Sequence, residues 1–233
     1  MPIVPLPTLW NLLMSGLAPI WPPSRTAING IALGDAWPCS TMPQPAASPR
    51  ESTPSFSPFP NTSARSGPTG QWESILPFHK LTQWLTYSLM QPMQQLMKIH
   101  FAGQELLTGL PEYRNGGLFV DLGVLTLKSD DMVRGLQNYK EYCLRTGDKG
   151  IEVAPMFEPS DDVIVEWRGV TVGLLDRLCV DVNQSLRNEL AGHELTLPQL
   201  LEAGSWKVRT YFLPPAHKTY QKLGLTNLRT GRT

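Results

Sequence analysis

The segment PEYRNGGLFVDLGVL, from Pro111 to Leu125, holds the densest group of chemically active residues in the chain. Its first seven residues contain an acid, an aromatic ring, a guanidinium group, an amide and two glycines: Glu112, Tyr113, Arg114, Asn115, Gly116 and Gly117. Asn-Gly is typical of a tight turn, and Gly-Gly permits close backbone approach. Side chains two residues apart in an extended segment project to the same side, so Glu112 and Arg114 would offer a carboxylate and a guanidinium to one ligand. The alternative is a surface turn with an incidental ion pair.

A second candidate is the pair His79-Lys80, which follows Pro77 at the start of a predicted helix. A helix N-terminus next to a lysine is suited to binding an anion. The alternative is an exposed lysine on a solvated turn. Trp84, one turn further on, is predicted to be a core residue rather than a stacking platform.

A second acidic segment, EPSDDVIVEWR, contains Glu166 and Arg168, which rank second as site residues. Positions i and i+2 lie far apart around a helix, so at most one of the two points into any pocket. Asp161 and Asp162 are explained by the start of a helix.

Metal and cofactor chemistry finds little support in the sequence. The four histidines lack HxH or HExxH spacing, and no P-loop, GxGxxG or GxSxG motif is present. The three cysteines lack CxxC spacing, which argues against a disulfide framework or a zinc ribbon. We therefore expect no metal and no cofactor.

Charge and hydropathy exclude other classes of protein. Lys+Arg and Asp+Glu both number 20 in 233 residues, and this neutrality argues against nucleic-acid binding. The apolar N-terminus is broken by prolines and has no basic residues before it, so neither a signal peptide nor a membrane span is predicted. These features predict a soluble, cytoplasmic protein, and they do not indicate its oligomeric state.

Composition divides the chain into four regions. Residues 1–37 are predicted to be the N-terminal part of the folded domain, and residues 38–71 a disordered Pro/Ser-rich insert. Residues 72–207 are predicted to form the main helical domain, and residues 208–233 an irregular or aberrant tail.

Hydrophobic periodicity predicts a mostly α fold with a small β element. TLWNLLMSGL is predicted to be helical, as are three longer segments: 79–97, with Pro92 as a kink or a break, 129–146 and 160–190. Thr196 is predicted to cap a last helix that buries Leu200 and Leu201. Alternation near Leu118–Leu122 predicts a strand or hairpin within residues 101–127.

Several long motifs in order resemble one protein family. They are APIWPPSRTAINGIALGDAW, PFHKLTQWLTYSL, LTGLPEYRNGGLFVDLGVL, PMFEPSDDVIVEWR and LLEAGSW. Together they resemble the fungal and bacterial uracil-catabolism proteins of the domain-of-unknown-function 1688 class, from about Leu9 to Trp206. Relative to that family, we expect the chain to lack an N-terminal part and to differ after LEAGSW. The resemblance implies a role in uracil breakdown.

A shorter resemblance concerns the queuosine-salvage hydrolases, which cleave an N-glycosidic bond in a helical DNA-glycosylase-like fold. They carry a lysine followed by an Asp-Tyr-Arg motif, and here Lys80 precedes Glu112-Tyr113-Arg114. This similarity implies an N-ribohydrolase acting on a ribosylurea-type or nucleotide-derived substrate. The alternative is a non-catalytic binding or scaffold protein of the same pathway.

The implied chemistry assigns a role to each candidate. Cleavage of a ribosyl C–N bond passes through an oxocarbenium-like state, which the Glu112 carboxylate would stabilise or attack. Lys80 and Arg114 would anchor a phosphate or the substrate. Asn115 and Asp121 would bind ribose hydroxyls, and Tyr113 would also contact the substrate. Glu166, Arg168 and His79 rank second.

Overall fold

A computed structural model describes residues 1–42, 74–147 and 153–207 of the chain. Most of the predicted insert and the whole predicted tail lie outside the described residues. Within the described part the fold is mostly α with a small β element, as predicted. The helices are, in chain order, α1 (Leu6–Leu17), α2 (Lys80–Met97), α3 (Tyr113–Asp121), α4 (Ser129–Thr146), α5 (Asp162–Ser185) and α6 (Leu197–Leu200).

The strands in the described residues are short and pair two by two. They are β1 (Ile3–Pro5), β2 (Ala27–Ile28), β3 (Ile31–Ala32), β4 (Ala36–Pro38), β5 (Ile75–Pro77) and β6 (His100–Ala102). Strands β1 and β6 are parallel, whereas β2–β3 and β4–β5 are antiparallel. The β4–β5 pair joins the two sides of the predicted insert, because Ala36 pairs with Pro77 and Pro38 with Ile75.

The folded part extends into the first residues of the predicted insert. Cys39 is 2% exposed and packs with Phe78 and Val165. The backbone N–H of Ser40 donates to the Asp162 carboxylate at 2.9 Å. Residues 38–42 therefore belong to the packed structure, and the rest of the insert, residues 43–71, lies outside the described residues.

Helix α2 buries a face that is mostly polar. Its buried residues are Thr82, Gln83, Thr86 and Met90, whereas Trp84 is 45% exposed, so the prediction that Trp84 is a core residue was wrong. The buried threonine hydroxyls find partners: Thr86 Oγ1 donates to the carbonyl of Thr82 at 2.8 Å. Short side chains whose hydroxyls are satisfied let α2 approach α1 and the 107–110 segment closely. The helix runs through Pro92 without a break between its described ends.

The segment predicted as a hairpin contains a helix instead. Strand β6 lies at its start, but Tyr113–Asp121 form α3, so the strand prediction for Leu118–Leu122 was wrong. Glu112 is the N-cap residue, and its side chain accepts from the Arg114 backbone N–H at 3.1 Å. An N-cap carboxylate satisfies a free N–H group of the first turn and complements the helix dipole, which stabilises a helix here despite two glycines.

The two long C-terminal helices confirm the periodicity analysis. Helix α4 occupies the predicted range, and Gly147 ends it with φ of 69°. Helix α5 begins at Asp162 with Asp161 as its N-cap, and it ends at Ser185, so it is shorter at both ends than the predicted segment 160–190. The buried residues of α5 are Ile164, Val165, Thr171 and Leu175.

The last helix confirms the capping prediction. Thr196 and Gln199 form a reciprocal capping box at the start of α6. Leu200 and Leu201 are 8% and 4% exposed, as predicted.

Helices α3 and α5 touch at Gly116. A Cβ atom there would lie 2.7 Å from the Trp167 ring and 2.8 Å from Thr171 Oγ1. We expect Gly116→Ala to lower the free energy of unfolding by about 2 kcal/mol, because the packed ring cannot yield without strain. Thermal unfolding followed by circular dichroism would measure the change.

A matched control is Gly173→Ala on the exposed side of α5, where a Cβ would meet nothing within 4 Å. Alanine in an open helical position is expected to stabilise by about 0.5–1 kcal/mol. Equal midpoints for the two variants would show that the α3–α5 contact is not close-packed.

Candidate functional site

A cavity of about 210 Å³ lies between the N-terminal segment, the start of α2, the start of α3 and α5. Its lining combines aromatic rings with charged groups, and it includes Trp21, Arg25, Asp35, Trp37, Lys80, Glu112, Tyr113, Trp167 and Arg168. The PEYRNGG segment and the long helix thus enclose one pocket. A pocket with apolar walls and few polar groups is the usual form of a small-molecule site.

Lys80 and Glu112 meet in this cavity, although 32 residues separate them. Lys80 Nζ lies 3.5 Å from Glu112 Oε1, and the Glu112 side chain is only 12% exposed. The other carboxylate oxygen, Oε2, accepts from the Arg114 N–H as the α3 cap. A separation of 3.5 Å is at the long limit of a hydrogen bond, so Oε1 can exchange this contact for one to a ligand.

Arg114 lies behind Glu112 rather than along the cavity wall. Its Nε donates to the Tyr113 hydroxyl at 3.1 Å and is 3.9 Å from Glu112 Oε2. The hydrogen bond to Tyr113 is the main reason that the pKa of Arg114 is raised, and the nearby Glu112 carboxylate adds to it. Arg114 therefore supports the orientation of Tyr113 and Glu112.

Asp35 organises the opposite wall. Its Oδ1 accepts from Trp37 Nε1 at 2.7 Å and from Arg168 Nη1 at 2.9 Å, and its Oδ2 accepts from Arg168 Nη2 at 2.7 Å and from the Lys80 backbone N–H at 3.1 Å. The last contact supplies the cap that α2 lacks locally, because its N-cap residue, His79, makes no side-chain cap bond. Asp35 thus links the first turn of α2 to α5 across the cavity.

The charge of Asp35 is held by these contacts. Burial disfavours its ionised form, but the hydrogen bonds and charge of Arg168, with further bonds from Trp37 and Lys80, outweigh burial and lower the pKa of Asp35. The Arg168 guanidinium also lies 4.1 Å from the centroid of the Phe78 ring. Its bidentate pairing and stacking fix Arg168 as part of the wall.

Arg25 and two tryptophans complete the lining. The Arg25 guanidinium stacks on the Trp37 ring at 4.6 Å. Gly34, with φ of 72°, allows Trp21 to pack against the backbone next to Asp35, since a Cβ there would lie 2.7 Å from the Trp21 ring. Arg25, Asp35, Trp37, Trp21 and Trp167 were not singled out as site residues from the sequence. The signal for them was the family motifs: APIWPPSRTAINGIALGDAW carries four of the five, and PMFEPSDDVIVEWR carries Trp167.

The three second-ranked candidates, Glu166, Arg168 and His79, line three different pockets. Arg168 lines the cavity, whereas Glu166 lines a neighbouring groove with Leu125 and Val170, as the geometry of positions i and i+2 requires. His79 adopts a left-handed conformation with φ of 46° and lines a third, open depression on the other side of the α2 start. Burial lowers the pKa of His79, against a smaller opposing effect of Asp35.

The two proposed ribose-binding residues lie outside the cavity. Asn115 is 1% exposed, and its Nδ2 donates to the Leu110 carbonyl at 2.9 Å, so it holds the segment that leads into α3. Asp121 lies at the C-terminal end of α3, about 13 Å along the helix from Glu112. Neither residue lines the cavity.

The described residues contain no cluster of three or more His, Cys, Asp or Glu side chains placed to hold a metal ion. None of the helices in that part of the chain combines the length and apolarity needed to cross a membrane.

Comparison with known proteins identifies the sequence relationships of the chain. Residues 1–210 match the model of a family described as "Protein of unknown function (DUF1688)". "Uracil catabolism protein 4" of Lachancea kluyveri is 43% identical over 206 residues, which cover 88% of this chain and 40% of that protein. "Protein urg3" of Schizosaccharomyces pombe is 44% identical over 199 residues, covering 85% of this chain and 37% of that protein. The chain therefore spans less than half the length of these relatives, and no solved structure matches it.

Proposed function

The chain belongs to the DUF1688 family, and we propose that it acts in uracil breakdown as a hydrolase of N-glycosidic bonds in a ribosylurea-type or nucleotide-derived substrate. A relative is named for uracil catabolism, which supports the pathway. The observation that carries the reaction type is the Lys80–Glu112 pair in an aromatic-lined cavity.

In this proposal the Glu112 carboxylate stabilises positive charge on the substrate. As the C1′–N bond breaks, the ribosyl carbon becomes oxocarbenium-like, and a carboxylate fixed beside it lowers the barrier by electrostatic stabilisation. The cap bond from the Arg114 N–H holds one oxygen, so the other faces Lys80 in a defined position. Preorganised charge of this kind acts more strongly in a partly dry cavity than in water.

Lys80 and water complete the reaction. The electron pair of the broken bond moves to the leaving nitrogen, to which the Lys80 ammonium can donate a hydrogen bond. Water supplies the hydroxyl group that ends on C1′ and the proton that ends on nitrogen. The aromatic walls, including Trp167 and Tyr113, limit the access of bulk water and offer flat faces to a planar urea or base.

The direct experiment is incubation of the chain with ribosylurea 5′-phosphate and a coupled assay for released urea. We expect release that depends on Glu112. The full-length Lachancea kluyveri relative is assayed in parallel, because this chain covers 40% of its length.

If the chain is instead a non-catalytic binding protein, a different result is expected from the same experiment. Binding of the substrate without urea release by either protein would contradict hydrolysis and favour the binding role.

A further inference from the structure

The two carboxylates that line the cavity, Asp35 and Glu112, already pair with cations other than Arg25. Each Asp35 oxygen accepts two hydrogen bonds, from Arg168 twice, Trp37 and Lys80. A carboxylate has about four lone-pair positions, so Asp35 is saturated. Glu112 is shared between Lys80 and Arg114.

Arg25 is consequently the cation that the cavity does not neutralise. In the part of the chain that the structure describes, three cationic side chains and two carboxylates line the cavity. Within the described residues, Arg25 forms no ion pair, and its guanidinium lies over the Trp37 ring at 4.6 Å. One surplus positive charge therefore faces the same space as Glu112.

The stack fixes Arg25 without using its donors. A guanidinium that lies over an indole ring uses the π face of the ring as its contact, and the N–H groups at the edge of the guanidinium remain available to a ligand. The indole itself is anchored, because Trp37 Nε1 donates to the saturated Asp35. The planar fork of arginine matches the oxygens of a phosphate group, which carries about −1.5 to −2 charges at pH 7.

We propose that Arg25 binds the phosphate group of a phosphomonoester substrate, so that the cavity selects a ribosyl 5′-phosphate over the free ribosyl compound. This inference rests on the proposed function for the identity of the sugar, but the anion subsite itself depends only on Arg25 and its surroundings. Arg114, expected from the sequence to anchor phosphate, instead contacts Tyr113 and Glu112. Arg25 takes that role.

The test is isothermal titration calorimetry of the 233-residue chain with ribose 5-phosphate and with ribose, at constant ionic strength. We expect the unsubstituted chain to bind ribose 5-phosphate at least about ten-fold more tightly than ribose, and Arg25→Gln to remove most of that preference. Arg25→Lys, which keeps the charge and loses the fork, is expected to fall between the two. Equal affinities for both ligands in the unsubstituted chain, or an undiminished preference in Arg25→Gln, would overturn the proposal and leave the Arg25–Trp37 stack a purely structural contact.

The matched control is Arg177→Gln, which removes one positive charge from an exposed arginine on α5 that pairs with Asp181. It should leave the preference unchanged. If Arg25→Gln does not fold, as judged by circular dichroism, competition decides: inorganic phosphate should displace ribose 5-phosphate from the unsubstituted chain, and failure to do so rejects the subsite. An Arg25-dependent preference without urea release would reject the hydrolysis alone, whereas urea release without that preference would reject the subsite alone.

Discussion

Glu112→Gln is expected to lower the rate of urea release from ribosylurea 5′-phosphate by about 100-fold or more. The substitution keeps the size of the side chain and leaves an oxygen that can still accept from the Arg114 N–H, so the α3 cap survives. What is lost is the negative charge beside Lys80. Loss of one electrostatic stabiliser of a charged transition state typically costs two to three orders of magnitude.

Steady-state kinetics should show this loss mainly in kcat, because the charge is needed where positive charge develops. Glu141→Gln on α4 is the matched control, since Glu141 is exposed and bonds only its helical neighbour Gln137 among the described residues. If the turnover of Glu112→Gln were close to that of Glu141→Gln, Glu112 would not be the catalytic carboxylate. Glu166 would then be the next residue to test.

Periodicity predicted the long helices because their signals are local. Helices α4 and α5 carry apolar residues at helical spacing and acidic first turns, and both formed. The buried face was harder to predict. In α2 the buried side holds Thr82, Gln83 and Thr86, because the neighbouring segments offer hydrogen-bond partners such as Thr108 to Gln83. Hydropathy alone does not register such partners.

Helix α3 shows tertiary context overriding a local pattern. The alternation near Leu118 indicated a strand, and Asn115-Gly116 indicated a turn. In the structure Gly116 lets α3 lie against α5, where Trp167 Nε1 donates to the Gly116 carbonyl at 3.2 Å. The glycines that signalled a turn therefore serve a close helix–helix contact.

Only part of the candidate site could be predicted from the sequence. Lys80 and Glu112 were singled out by residue type and position, and the structure brings them together. Asp35 was not, because its role depends on partners 133 and 45 residues away, Arg168 and Lys80. Contacts of that separation leave no periodic signal in one sequence, and a lone aspartate after glycine is usual for a turn.

Asp35→Asn is expected to lower the free energy of unfolding by about 3 kcal/mol, which corresponds to a midpoint lower by about 10 °C in a chain of this size. The substitution leaves the Arg168 guanidinium, which is 13% exposed, without its carboxylate. The amide N–H group of the new asparagine would face N–H donors that now bond to the Asp35 oxygens. Removing one partner of a buried pair costs far more than removing an exposed one. Asp131→Asn, which breaks the exposed pair with Arg134, is the matched control and should change stability by less than about 1 kcal/mol.

Acid titration tests the same residue independently. The pKa of Asp35 is lower in the folded chain than its ordinary value of 3.8, so the unfolded chain binds the proton more readily. The stabilisation is therefore present at neutral pH and is lost as pH falls below about 4. The Asn variant should lose less stability than the unsubstituted chain between about pH 5 and pH 2. Parallel stability curves for the two proteins would show that Asp35 is not held ionised by Arg168, and the wall that positions Lys80 and Arg168 would need another anchor.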